Sequence, residues 1–233
     1  MSRLIALCVL AGGSTVASAD LIDFEGLEHG RIVADQYAAL GVTISAVNPN
    51  RSFDLAVAFD TNLSGTRDSD LESPWSGGNL PVNSDIGNVL IIQENDNGIA
   101  DGIADNPDDE GRRAAGQLIF SFNQNIQTIG FDLVDLEGST SEASTIELFR
   151  DNTSVLSIGF AAFEAGGTFD QGAIYLDNSL NRISGLTVAG GFDRAVFRLG
   201  GSAGIDNINY TVPTPGALAL LGLGGLLAGR RRR

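Results

Sequence analysis

Hydrophobic and polar residues alternate along much of this chain. Leu118, Phe120 and Phe122 face one way while Gln117, Ile119 and Ser121 face the other, and Thr145, Glu147 and Phe149 alternate with Ile146, Leu148 and Arg150. A period of two marks a strand with one wet face. Runs rich in branched and aromatic residues predict further strands at 21–24, 42–47, 55–59, 88–93, 127–134, 154–160, 182–189, 194–199 and 205–211. Gly, Asn, Asp and Ser cluster between these runs, as turns require. Only 33–40 (VADQYAAL) has helical spacing, for a turn or two at most. Strands do not alternate with long helices, and no repeat recurs at a fixed period, which argues against α/β and solenoid folds. The pattern predicts an all-β fold, an antiparallel β-sandwich of jelly-roll type. Segments 60–87 and 94–116 are too long and polar for simple turns, and are expected to be functional or mobile loops on a rigid scaffold.

The two ends break this pattern. Residues 1–19 carry Arg3, an apolar run from Leu4 to Leu10 and small residues up to Ala17 and Ala19. That is the three-part layout of a secretory signal peptide, cleaved after Ala19. Removing it removes Cys8, the only cysteine. The exported chain then has no disulfide, no thiol nucleophile and no Cys-ligated metal. At the other end, Gly216 to Gly229 has no charged or polar side chain. As a helix it would span ~21 Å, short of the ~30 Å hydrocarbon core. The arginine stems of Arg230, Arg231, Arg232 and Arg233 can snorkel and extend that reach, giving a marginal membrane anchor with the arginines on the cytoplasmic side. Pro213 and Pro215 end the preceding strand and hold an extended segment open to a processing enzyme.

Val212-Pro213-Thr214-Pro215, the short Gly/Leu/Ala segment and the terminal arginines together resemble the PEP-CTERM sorting signal, with Thr214 where that family usually has Glu. The resemblance covers 212–233. It implies export, transient retention in the inner membrane through a short C-terminal hydrophobic helix, and recognition by an exosortase that cuts near the Pro-x-Pro motif. The stretches DFEG, QYAALGVTISA, FDTN, DSDLESPW, GNVLIIQE, PDDEG and FDLVDLEG are similar to a loosely described group of such proteins that has no agreed activity. The expected organisation is a leader (1–19), one sandwich domain (20–211) and a sorting signal (212–233). The resemblance implies a cell-surface or extracellular-matrix protein of a Gram-negative-type bacterium that makes exopolysaccharide.

Charge narrows the partners. Of 14 basic residues, all arginine, one lies in the leader and four end the chain, leaving nine against 29 acidic residues. Such a body is repelled by nucleic acid and anionic lipid and invites divalent cations. Three candidate Ca²⁺ sites follow. Asp96, Asp101, Asp105, Asp108, Asp109 and Glu110 crowd the loop 94–111, with glycines that permit tight turns, although the spacing falls short of an EF-hand. Asp60, Asp68 and Asp70 lie in 59–72, where Asp68 and Asp70 would share a face if extended and Arg67 could replace a metal between them. If both loops meet at one end of the sandwich, they build one site. The third pair, Glu25 and Asp206, lies on the first and last strands, and DFEG with GIDNINY resembles carbohydrate-binding jelly rolls that hold a structural Ca²⁺ there.

Catalysis finds little support. His29 is the only histidine and sits in an expected turn, with no nucleophile motif anywhere. Paired carboxylates are inevitable among 29 acids, so a pair by itself says little about glycoside hydrolysis. Trp75, the only tryptophan, either stacks on a sugar face or plugs the end of the sandwich, the plug being the commoner use. The expected function is a non-enzymatic surface or matrix protein that binds Ca²⁺ through acidic loops. The alternatives are a carbohydrate-binding module for exopolysaccharide or a glycan-active hydrolase.

Overall fold

The computed structural model describes residues 19–138 and 143–213. Ala17 and the leader, and Thr214, Pro215, the apolar tail and Arg230–Arg233, lie outside the described residues. Among the described residues no helix is long and apolar enough to cross a membrane.

The described chain is all-β. In chain order the strands are β1 (Ala19–Ile22), β2 (Ile32–Val33), β3 (Val42–Val47), β4 (Ala56–Asp60), β5 (Gly77–Gly78), β6 (Asn88–Ile92), β7 (Gly116–Val134), β8 (Thr145–Arg150), β9 (Thr153–Gly159), β10 (Ser179–Leu199) and β11 (Gly204–Thr211). They hydrogen-bond in the order β2-β4-β6-β11-β7-β10-β8-β9, with β1 on β11, β3 on β7 and β5 on β10. Among these strand pairings the short β5–β10 one alone is parallel. Residues 33–40 supply the end of β2 and a single 3-10 turn, Ala38–Leu40.

Two strands are longer than the sequence predicts. The stretches 117–122 and 127–134 form one strand of 19 residues, and 182–189 with 194–199 form one of 21. The Asn/Gln and Gly-Gly stretches between them are bulges, where the β7–β10 register shifts, and not chain reversals. These long strands also fold the sheet on itself. Phe197 pairs in register with Leu118, yet its ring touches both Phe120 (5.6 Å) and Phe131 (4.8 Å). On a straight strand Leu118 and Phe131 would lie roughly 40 Å apart. The bulges bend β7 and β10 so that their two halves face each other across one core.

The alternation is kept where one face is wet: β3 reads buried and exposed in strict turn, with Val42, Ile44 and Ala46 inward. β4 and β6 are buried on both faces. Ala58, Leu90 and Ile92 join the main core, while Val57, Phe59, Val89 and Ile91 face a second cluster with Leu71, Trp75, Ile86 and Ala104. The long segments 60–87 and 94–116 therefore cover the outer face of β4 and β6, and are packed and not free loops. Continuous apolar runs such as AVAF and VLII require that second cover.

Candidate functional site

Two acidic centres are buried in this frame. The first joins the two acidic loops. Asp68 and Asp109 are both buried, and the Asp109 N–H donates to Asp68 Oδ2 at 3.1 Å. They are joined by two residues that the sequence did not single out. Asp135 follows β7 with φ of 55°, a left-handed conformation that Asp tolerates better than most residues. Ser202, in the β10–β11 turn, places its Oγ 2.7 Å from Asp109 Oδ2 and 2.8 Å from Asp135 Oδ2. The Asn178 N–H donates to Asp135 Oδ1 at 2.6 Å.

A serine hydroxyl has one hydrogen, and ionised carboxylates only accept. Ser202 can donate to one of its two carboxyl neighbours, so the other must carry a proton and donate back. Burial agrees with this count. Desolvation, then the charges of Asp70 and Asp68, push Asp135 up from 3.8 to about 8. Desolvation and the Asp68 charge push Asp109 well above the ordinary range. Desolvation also raises Asp68, against the hydrogen bond from Asp109.

The other loop acids point elsewhere. Asp108 pairs with Arg67 at 2.7 Å, so Arg67 does not sit between Asp68 and Asp70. Glu110 is fully buried against Arg51 (2.8 Å) and accepts from Asn48 Nδ2 (3.1 Å). Asp96, Asp101 and Asp105 are exposed, Asp101 Oδ1 serving as acceptor for the Ile103 N–H. Asp70 is exposed beside Ser69, and Asp60 Oδ1 accepts from the Asn62 N–H at 2.9 Å. Thus the two loops meet, through Asp68 with Asp109 and through Arg67 with Asp108. The rest of the predicted ligand set is spread over separate partners. Among the described residues no group of three or more His, Cys, Asp or Glu is arranged to hold a metal ion.

The second centre is the seam between the first and last strands. β1 pairs with β11, Ala19 opposite Thr211 and Ile22 opposite Ile208. The chain then turns at Phe24, and Glu25 Oε1 accepts from the Asn88 N–H at 3.0 Å. The Glu25 carboxylate fills the space where Gly87, at φ of 59°, would carry a Cβ, so a larger residue there would displace it. A cleft of about 290 Å³ opens here, with the carboxylates of Asp23, Glu25 and Asp85 and the amide of Asn207 in its wall. Asp206, the chain neighbour of Asn207, is fully buried and feels the charges of Glu25 and Asp23.

Asp206 stands opposite Asp132 on β7. Asp132 is compensated by Arg182, at 2.7 and 2.6 Å, and by Asn207 Nδ2 at 2.9 Å. Asp206 Oδ2 accepts from Asn207 Nδ2 at 2.7 Å, but Oδ1 is buried with no partner. Among the described residues one other buried side-chain atom shares that condition, the Tyr175 hydroxyl. Desolvation, then the charges of Asp132, Glu25 and Asp23, push Asp206 up to about 9. Desolvation chiefly, with Asp23 and Asp85, also raises Glu25.

Two aromatic and histidine expectations resolve plainly. Trp75 is 3% exposed, packs among Leu71 and Ile86, and donates its indole N–H to Ser84 O at 2.8 Å. It presents no ring face to a sugar and acts as the plug; its apolar bulk is needed where the loops cover β4 and β6. His29 Nδ1 accepts from the Asp60 N–H at 3.0 Å, and its ring meets Phe59 edge-on. Burial lowers its pKa, leaving a neutral ring held by structure.

No family model matches the chain, and no curated protein matches it. Among solved structures it is similar to the K2 cleaved adhesin domain of Lys-gingipain (Kgp), at 13% identity and TM-score 0.42, over 84% of this chain and 100% of that one. It is also similar to the extra C-terminal domain (X) of an exo-1,3/1,4-β-glucanase (ExoP) from a Pseudoalteromonas species, at 11% identity and TM-score 0.35, over 76% and 89% of the two chains. Likeness of this degree assigns no function.

Proposed function

We propose that this chain is an exported, non-enzymatic surface or matrix protein, folded as a jelly-roll sandwich and stabilised by Ca²⁺ at the β1–β11 seam. One observation carries the ion: Asp206 Oδ1 is buried without a hydrogen-bond partner, and its neighbour Asn207 lines a cleft whose wall carries three carboxylates and no cation. An anion buried in that way is costly unless something positive reaches it. Arg182 is already engaged by Asp132. Ca²⁺ accepts about six to eight oxygens from carboxylates, amides and main-chain carbonyls, so two carboxylates can suffice as anionic ligands. Glu25 and Asp206 would supply these, with Asn207 at the rim. The non-enzymatic reading is supported by the structural roles of His29 and of the loop carboxylates.

Thermal melting of the full chain tests the ion. Ca²⁺ should raise the midpoint over EDTA in the wild type and leave it unchanged in Asp206→Asn; a wild type indifferent to Ca²⁺ removes the ion from this reading. Export and exosortase sorting rest on the leader, the Pro-x-Pro segment and the terminal arginines. Deletion of 213–233 should release the protein to the medium or strand it in the periplasm, as followed by fractionation, and unaltered location would refute sorting.

A further inference from the structure

The bulges that bend β7 and β10 also open a cleft. Register is kept at Ser121–Arg194 and again at Ile126–Phe192, so 122–125 have no ladder partner on β10; the next break runs from Phe192 to Thr187. A cavity of about 530 Å³ lies over this gap, bounded on its far side by the turn between β8 and β9. Its frame is held by its own side chains. Arg150 Nε donates to Gly191 O at 2.8 Å and its Nη2 to Ala189 O at 2.8 Å, while Asn125 Nδ2 donates to Gly190 O at 2.8 Å. Gly190 and Gly191 have φ of 81° and 76°, and a Cβ on either would collide with Arg150 or Asn125. The bulge carbonyls are thereby satisfied, and the cleft exists before any ligand arrives.

The chemistry of the wall is unlike the seam's. Arg150 and Arg194 are balanced by Asp151 and Asp193, with Asn123 and Gln124 added as amides. Arg194 is fixed over the Phe149 ring at 4.4 Å and bonded to Asn152 Oδ1 at 2.9 Å, and Asp193 Oδ2 accepts from the Asp151 N–H at 2.8 Å. A metal ion needs excess negative charge, and a phosphate or nucleic acid excess positive charge. A wall of balanced charge with planar donors and acceptors side by side suits a neutral molecule with many hydroxyl groups. The geometry points to a neutral saccharide, bound through its hydroxyl groups in the cleft over the bulges of β7 and β10. This goes beyond the ion at the seam and does not rest on it.

Affinity electrophoresis of the full chain tests it, through gels containing neutral glucan, mannan and galactan and, separately, polygalacturonate and alginate. The expected result is retardation by at least one neutral polymer, weakened about threefold to tenfold by Gln124→Ala. Gln124 is exposed and its side chain makes no hydrogen bond among the described residues, so this variant and Gln124→Arg, which crowds the cleft, should melt with the wild type. Gln124→Arg should abolish retardation. No retardation in any neutral polymer, retardation confined to the anionic ones, or equal retardation of wild type and Gln124→Arg would each overturn the proposal.

Discussion

The Asp68–Asp109–Asp135 nest and the Asp206 seam contain the same functional group at the same depth, yet they need different things. In the nest the carboxyls close on one another, on Ser202 and on the Asn178 N–H. The count of hydrogens requires a proton, and with it the centre is complete. At the seam, Asn207 serves one oxygen of Asp206, and the other has no hydrogen-bond partner among the described residues. Burial raises both sets of carboxyls, so burial does not separate them. What separates them is whether a partner is left over. A proton finishes the first arrangement, whereas the second presents an open oxygen beside an anionic cleft, which is where a cation gains most.

The largest expected effect breaks or keeps this contrast directly. At one hundred times its dissociation constant, Ca²⁺ stabilises a binding fold by about 2.7 kcal/mol, or a midpoint shift of roughly 5–11 °C for a domain of this size. Asp135→Asn should retain that shift and Asp206→Asn should lose it. If both variants lose it, or both retain it, the two centres are not distinct in the way described.

The next effect is the pH dependence of the nest. Asp135 is raised from 3.8 to about 8 in the folded chain, so the folded state binds more protons than the unfolded one between these values. Stability is then greatest below about pH 4 as far as this group is concerned, and is lost as pH rises through about 8. Asn at this position mimics the protonated acid: its carbonyl can accept from the Asn178 N–H and its amide can donate to Ser202, which donates on to Asp109. Asp135→Asn, melted in chelator, should match the wild type near pH 4 and exceed it at pH 8. Equal midpoints at both pH values would mean that Asp135 is ionised in the fold.

The contrast between the centres was only half legible in the sequence. The pairing of the first and last strands follows from the expected sandwich, but Glu25 is not on the first strand as expected: β1 ends at Ile22 and Glu25 lies past the turn at Phe24. The meeting of the two acidic loops is conditional on topology, and of the expected ligands only Asp68, Asp109 and, through Arg67, Asp108 take part. Asp135 does not stand out because FDLVDLEG reads as a strand running into a turn; its signal is an acid set between Val134 and Leu136, both fully buried. Ser202 has no signal of its own, being one serine in a glycine-rich turn. The bulges look like turns in the sequence because Asn, Gly-Gly and Asp serve both, and local sequence does not distinguish a reversal from an extra residue in a ladder. The cover over β4 and β6 was legible in principle. Their unbroken apolar runs leave no wet face, which requires 60–87 and 94–116 to pack and explains why Trp75 is a plug.

The smallest expected effect decides whether the nest is held by a proton or by an arginine. Arg67 lies next to Asp68 in sequence and is the natural counter-ion on that basis. In the fold it reaches past Asp68 to Asp108, and its side chain is 66% exposed. An exposed ion pair is worth about 0–1 kcal/mol, whereas removing the partner of a buried charge costs about 3–5 kcal/mol. Arg67→Ala should therefore lower the midpoint by no more than roughly 4 °C. It should also leave the slope of stability with pH between 4 and 8 unchanged, because Asp109 and Asp135 meet across Ser202 and not across the guanidinium. A loss several times larger, or a steeper slope, would mean that Arg67 neutralises the nest, and that the three carboxyls stay charged in the folded chain.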